Sequence, residues 1–366
     1  MAANLSTWAS TLFSLLESIP NKIWYFGAKE NIVLVIVRNR NVKAVVYQSY
    51  GSPEVLHISE VEKPIPKDDE VLIKVHAAEV TKSDCEIRSF NFAVKWFWLP
   101  LRFALGIRKP KRTILGGYFA GEVESVGKAV TKFKQGDKLF GSSQMRFGAY
   151  GEYVCLPDGY TMAAKPNNMS FAEAAAVPLG GFNALHYMRK ANIKAGEKVL
   201  VNGAGASIGT FGVQIAKAMG AEVTAVDSTI KEDILRAIGA DHFIDYSKAS
   251  FGENGDSYDV IFDMVAQSNY SQCIKTLKPN GRYLKANPRL SDMLRAFLST
   301  WLSDKTVSFA FAAEKEEELL ALKMMIEEGK ITSTVDKVYS MDQAAEAHHR
   351  VETEQRLGTV VMQIAQ

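Results

Sequence analysis

Residues 198–227, KVLVNGAGASIGTFGVQIAKAMGAEVTAVD, leave few folds open to this chain. Val199, Leu200 and Val201 make a short apolar strand, and the small residues from Gly203 to Gly209 follow as a turn. Ile208, Phe211, Val213, Ile215, Ala216 and Met219 then recur at helical spacing, and a second strand from Glu222 ends on Asp227. Glycines in such a turn let backbone approach a pyrophosphate, while the unpaired N–H groups and positive end of the helix face the anion. An acid about 20 residues on can accept from a ribose hydroxyl, and Asp227 stands 18 residues past Gly209. Strand, turn, helix, strand and acid in register point to dinucleotide binding rather than to a plain tight turn.

The rest of the chain supplies a sheet for that unit. Helical signals resume at Ser170, which forms a capping-box pattern with Glu173, and a helix is expected over 182–191 after Pro178, Gly180 and Gly181. Expected beyond Asp227 are a helix at 231–238, strands at 242–246 and 259–265, a helix at 268–277 and strands at 282–286 and 306–311. An acidic helix at 314–328, a strand at 335–339, a helix at 341–353 and a strand at 359–364 complete the pattern. Such alternation argues for a parallel sheet covered by helices on both faces.

The region before it reads differently. Runs at 42–50, 55–61, 70–80, 120–126, 138–140 and 148–156 are β-rich and divided by glycines and prolines, as in a small, strongly bent β-domain. Within it, 90–103 is crowded with aromatics and 108–112 is basic, which reads as a core-filling flap or an apolar lid over a cleft. Residues 1–41 fit neither pattern. Trp8, Leu12, Leu15, Leu16 and Ile19 suit a short amphipathic helix and 32–37 is apolar, but charged residues and Pro20 interrupt any membrane-length run. We read the segment as a poorly specified extension, with Val42 as the expected native start and surface docking as the alternative.

At 366 residues two domains are expected. A net charge of +2 gives no reason to expect a nucleic-acid partner, and three scattered cysteines suit neither a disulfide framework nor a CxxC metal site. A reducing cytoplasm is the simplest expected location.

Several blocks in order then identify the chain, from about Val42 to its C-terminus, as similar to zinc-independent medium-chain dehydrogenase/reductases of the quinone oxidoreductase type. They are VKAVVYQSYGSPEVL, GYFAGEVESVGKAVTKFKQGDKLFG (117–141), AAAVPLGGFNALHYM (174–188), the glycine-turn unit, IGADHFIDY (238–246) and AEAHHRVETEQRLGTVVM. The resemblance implies an α/β fold in which a GroES-like β-domain (42–165) is joined by a Rossmann domain with a doubly wound parallel sheet (166–308), residues 309–366 returning to the first. It leaves the oligomeric state open, with a homodimer paired through the edge strand at 306–311, as in related dimers, as one outcome. It also implies hydride transfer from NAD(H) or NADP(H) to an apolar quinone or an α,β-unsaturated carbonyl. A zinc-free alcohol or aldehyde dehydrogenase-like enzyme and a non-catalytic nucleotide-binding protein remain as alternatives.

The resemblance places cofactor contacts at Asn183, Gly203, Gly205, Ala206, Ser207, Ile208, Gly209, Asp227, Ser228, Lys231, Tyr246 and Val265. Asp227 favours NAD(H). Ser228, Lys231 and Tyr246 stand where NADP-using relatives often hold the extra phosphate, so NADP(H) stays open, while Ile230 replaces a frequent arginine. Zinc ligands of metal-bearing relatives fall on Thr81, Tyr118 and about Leu179, none able to ligate zinc, so no metal is expected; Cys85 with His76 is a metal pair only in principle. The pocket candidates are Thr81, Asp84, Glu86 and Tyr118, with Arg88, Asn183 and His186 as further polar groups. Thr81 and Glu86 replace the Asn and Tyr common in the family.

Overall fold

The computed structural model describes residues 23–28, 31–36, 41–92, 98–252, 255–309 and 312–365. Two main sheets carry the chain, and the ends of their strands meet at the glycine turn.

The first is a six-stranded sheet in the spatial order His242–Asp245, Glu222–Asp227, Lys198–Asn202, Tyr258–Asp263, Leu277–Lys285, Thr306–Ser308, with every neighbouring pair parallel. In chain order this is 3-2-1-4-5-6, the doubly wound arrangement whose crevice opens where the order reverses. That reversal lies between Lys198–Asn202 and Tyr258–Asp263, so the glycine turn after Asn202 stands at it. Val199, Leu200, Val201, Val260, Ile261 and Phe262 are all fully buried, as strands covered on both faces require.

The second sheet has seven strands. Glu70–Val80 pairs antiparallel with Tyr118–Val126, with Tyr153–Pro157 and with Thr359–Gln363. The C-terminal strand therefore lies in the same sheet as residues near the start of the described chain. Two hairpins stand apart: Asn41–Val46 with His57–Glu62, and Ile23–Ala28 with Asn31–Ile36. The second hairpin falls within the poorly specified extension expected at 1–41; the amphipathic run of Trp8 to Ile19 lies outside the described residues.

Packing explains two departures from expectation. The helix expected from Phe182 begins at Pro178, because proline suits the first turn, where no N–H is needed. Gly180 and Gly181 are packing positions rather than breakers: a Cβ on the first would come 2.6 Å from Phe211 Cδ2, and on the second 2.7 Å from Leu322 Cδ1. The helices Ser207–Ala218 and Glu316–Glu327 close down on this one through those two gaps. The helix Leu290–Leu302 was not foreseen at all. It exposes Leu290, Leu294, Phe297 and Trp301 along one stripe. Of the aromatic-rich segment, 93–97 lie outside the described residues, as do 310–311 at the end of the expected edge strand.

The turn itself is held by two glycines. Gly203 has φ +83°, open to few L side chains, and a Cβ on Gly209 would lie 2.3 Å from the Gly203 carbonyl oxygen and 2.5 Å from that of Ala204. Gly209→Ala must push the helix off the turn. We expect a loss of about 1–3 kcal/mol, measured as a lower chemical-denaturation midpoint against wild type; an unchanged midpoint would show that the turn yields freely.

Candidate functional site

The glycine turn is built on its own acid. Asp227 ends the strand beside it and is 6% exposed; its Oδ2 accepts from the Gly205 N–H at 2.8 Å. Oδ1 accepts from the Ser228 N–H at 2.8 Å and pairs with Lys231 Nζ at 3.0 Å. Lys231 is equally buried and folds over Gly205, where a Cβ would meet its Cδ at 2.2 Å. The glycine thus makes room for an internal ion pair. Ile230 and Tyr246 stand exposed around it, and the Tyr246 N–H donates to the Asp227 carbonyl at 3.3 Å. Asp245, on the neighbouring strand end, went unnoticed in the sequence. Hydrogen bonds from Thr229 and Ser247 hold its carboxyl below the usual range.

Across the switch point, Val265 lies in the loop after Tyr258–Asp263 and its side chain faces Gly203, whose Cβ would lie 3.3 Å from it. A buried polar cluster sets that loop. Asp263 Oδ1 accepts from Asn202 Nδ2 and the Val265 N–H, both at 3.0 Å. Oδ2 accepts from Tyr283 (2.6 Å), Lys285 Nζ (3.1 Å) and Ser268. Lys285 also reaches Ser268 Oγ at 2.7 Å and the Val265 carbonyl at 3.2 Å.

The second sheet approaches from the other side. The Gly358 N–H donates to the Gly205 carbonyl at 2.9 Å, and Ser207 Oγ, at the start of the turn's helix, donates to Glu79 Oε1 at 3.0 Å. Glu79 is 1% exposed and its Oε2 has no hydrogen-bond partner among the described residues. Burial raises its pKa well above the usual carboxylate range, against the smaller opposing effect of the Ser207 hydrogen bond. A neutral carboxyl beside a helix N-terminus leaves that end's positive potential free for an anion.

Tyr118 begins the strand beside this one, where Ala78 pairs with Phe119. Its hydroxyl donates to Glu314 Oε1 at 2.8 Å, and Ser142 Oγ donates to Glu314 Oε2 at 2.6 Å. Burial first, then the Glu314 charge, pushes the phenol pKa well up. Glu314 precedes the helix Glu316–Glu327 instead of opening it, and turns inward. Sequence reasoning missed it because an acid among Glu314, Glu316, Glu317 and Glu318 reads as a solvated helix start.

The remaining candidates divide. Thr81 and Asp84 cap the helix Lys82–Ser89: Thr81 Oγ1 donates to Asp84 Oδ2 at 2.7 Å, and Asp84 Oδ1 accepts from the Gly116 N–H at 3.2 Å. Glu86 lies half-buried on that helix. Arg88, fully buried, pairs with Glu352 and donates to the Gly51 carbonyl. Asn183 Nδ2 turns back to the Leu179 carbonyl at 2.9 Å, and His186 lies 3.8 Å from Glu318. Cys85 stands 3.3 Å from His348 Nδ1, while His76 stacks on Phe171, so those two do not pair.

A dinucleotide fits the cradle: the helix beginning at Ser207, the Gly203 turn, Val265 and Asp227 lie together at the sheet's reversal. Zinc does not fit. Thr81, Tyr118 and Leu179 offer a hydroxyl, a phenol and an alkyl group where thiolate, imidazole or carboxylate is needed. Among the described residues no three His, Cys, Asp or Glu side chains group as metal ligands.

The chain matches two family models, "Alcohol dehydrogenase GroES-like domain" over residues 67–167 and "Zinc-binding dehydrogenase" over residues 238–362. It is 33% identical over 325 residues to a quinone oxidoreductase of Sus scrofa, covering 85% of this chain and 94% of that one. It is 30% identical over 337 residues to a chloroplastic NADPH-dependent alkenal/one oxidoreductase of Arabidopsis thaliana, covering 88% and 80%. Among solved structures, a quinone oxidoreductase from Coxiella burnetii superposes with a TM-score of 0.79 at 26% identity, covering 89% of this chain and all of that one.

Glu79 gives the site a measurable signature. Its native pKa is raised, so wild-type stability declines as pH rises from the ordinary value of about 4.5 toward the native one, by up to about 1.4 kcal/mol per unit. Glu79→Gln carries no such proton. Its stability relative to wild type should therefore rise as pH increases above about 4.5; parallel stability curves would mean Glu79 is charged in the native state.

Proposed function

As the chain belongs to the quinone oxidoreductase group of the medium-chain dehydrogenase/reductases, we propose that it is an NAD(P)H-dependent oxidoreductase that reduces apolar quinones or α,β-unsaturated carbonyls without zinc. The observation that carries this is the relationship to a quinone oxidoreductase along 325 residues, with the glycine turn at the reversal of a 3-2-1-4-5-6 sheet in support. In this reading residues 42–165 and 309–366 form the substrate side and 166–308 the cofactor domain. No helix among the described residues is long and apolar enough to cross a membrane; a cytoplasmic location and a homodimer belong to the same proposal.

The dihydronicotinamide supplies the hydride, and the protein binds, orients and excludes water. The Ser207 helix end and the turn's backbone hold the pyrophosphate. Asp227 would take the adenosine ribose with its charge balanced by Lys231, so both cofactors could be accommodated: a diol would hydrogen-bond the carboxylate, while a 2′-phosphate would draw Lys231 away from it. Tyr118 is the candidate proton donor: its hydroxyl proton, held by Glu314 in this structure, would turn to the substrate and be replaced from solvent. An enone gains hydride at its β-carbon and needs a proton at the α-carbon, whereas a reduced quinone takes its protons from solvent.

The test is NADH and NADPH oxidation followed against 1,2-naphthoquinone and a short enal. Turnover with neither acceptor, while cofactor still binds, would favour a non-catalytic nucleotide-binding protein. Tyr118→Phe should lower kcat on the enal by about 100-fold and leave the quinone rate nearly unchanged; equal losses on both acceptors would make Tyr118 a pocket-shaping residue only. Asp227→Ser frees Lys231 and should shift preference toward NADPH. An unchanged NADH to NADPH ratio would remove Asp227 from cofactor choice.

A further inference from the structure

The helix Trp98–Leu105 is amphipathic the wrong way round for a face turned to water. Its one charged side chain, Arg102, turns inward. The guanidinium carbon lies 4.0 Å from the Phe90 ring centre and 4.6 Å from that of Tyr50, and Nη1 is buried without a hydrogen-bond partner among the described residues. The outward positions are apolar: Leu99 (59% exposed), Phe103 (59%) and Ile107 (57%) follow at four-residue steps, with Trp98 at 42% beside them.

A basic strip is fixed to the end of this apolar one. Tyr50 donates to the carbonyls of Leu105 (3.1 Å) and Gly106 (2.8 Å), and the Lys111 N–H returns to the Leu105 carbonyl at 2.8 Å, making a tight, specified turn. Lys111 Nζ donates to the Phe103 carbonyl at 2.7 Å. Arg108, Lys109, Lys111 and Arg112 are exposed, and none of them forms an ion pair among the described residues. The flanking sequence carries no opposing charge. Between Glu86 and Glu122 there is no acid, while Arg88, Lys95, Arg102, Arg108, Lys109, Lys111 and Arg112 are all basic.

We propose that residues 98–112 form a docking surface for an anionic phospholipid bilayer, with Leu99, Phe103 and Ile107 entering the headgroup region and Arg108, Lys109 and Arg112 facing lipid phosphates. Apolar residues flanked by a tryptophan and unpaired basic residues are what an interfacial helix needs. An apolar protein groove would satisfy the first set and leave the second without partners, and the charge selects the bilayer. The surface lies shortly before Gly116 and Tyr118 in the chain. The docking argument stands on the surface alone and does not depend on the enzymatic reading.

The full chain is to be sedimented with phosphatidylcholine vesicles, with and without about 30 mol % phosphatidylserine. Wild type should partition strongly onto the anionic vesicles and weakly onto the neutral ones, and lose binding as salt rises. The triple substitution Arg108→Gln, Lys109→Gln, Arg112→Gln should lower the partition coefficient roughly 100-fold, and Leu99→Asn with Phe103→Asn at least about 10-fold. Circular dichroism melts matching wild type confirm that both variants fold, and the two sets act on separate residues, so one folded variant suffices. Wild type that ignores anionic vesicles, or a folded variant that binds as wild type does, would overturn the proposal. So would a wild-type dimer that Leu99→Asn with Phe103→Asn converts to a monomer, because the face would then be a contact between copies of the chain.

Discussion

The buried Asp263 carboxylate ties the end of the parallel sheet together. A carboxylate taken out of water costs several kcal/mol unless its lone pairs are met, and here five donors converge on it from the two neighbouring strands and the loop after its own. Each donor is thereby placed as well. Asn202 fixes the residue before the glycine turn, the Val265 N–H fixes the loop facing Gly203, and Lys285 fixes the end of the next strand. The crevice at the sheet's reversal thus owes its shape to charge pairing inside the sheet as much as to apolar packing beneath it.

On the facing side the electrostatics run the other way. Glu79 and Tyr118 are protonated groups packed close to acids, with Asp84 and Glu314 reinforcing what burial begins. On the proposed reading the nucleotide would meet the positive helix end and the charge-balanced Asp227–Lys231 pair, with the protonated Glu79 and Tyr118 beyond it. Such a division suits a reaction in which a hydride arrives from one partner and a proton from the other.

Much of this was legible in the sequence. The parallel sheet followed from alternating strands and helices, and the glycine turn from Gly203 and Gly209, because local pattern fixes both. Asp227 was found by its distance from the turn, but not its partner: that Lys231 would fold over Gly205 depends on a contact between a side chain and a backbone that spacing does not encode. Glu314 was hidden among helix-start acids, and Glu79 within a strand whose alternation gave no sign that a carboxyl would be buried against Ser207. Thr81 and Asp84 illustrate the converse. Their positions drew attention to chemistry, whereas their hydrogen bonds to one another cap a helix.

The C-terminal strand has a consequence for how the molecule is made. Thr359–Gln363 lies between Val335–Ser340 and Glu70–Val80, inside the sheet rather than at its rim. During synthesis the Ala77–Val80 part of the Glu70–Val80 edge stays unpaired until nearly three hundred further residues have left the ribosome, on the order of tens of seconds at ordinary elongation rates. The parallel sheet, contained between residues 198 and 308, is complete well before that. The nascent chain is thus expected to carry a finished parallel sheet beside an open, aggregation-prone strand edge, until Thr359–Gln363 closes that edge and Gly358 bonds to Gly205 in the glycine turn.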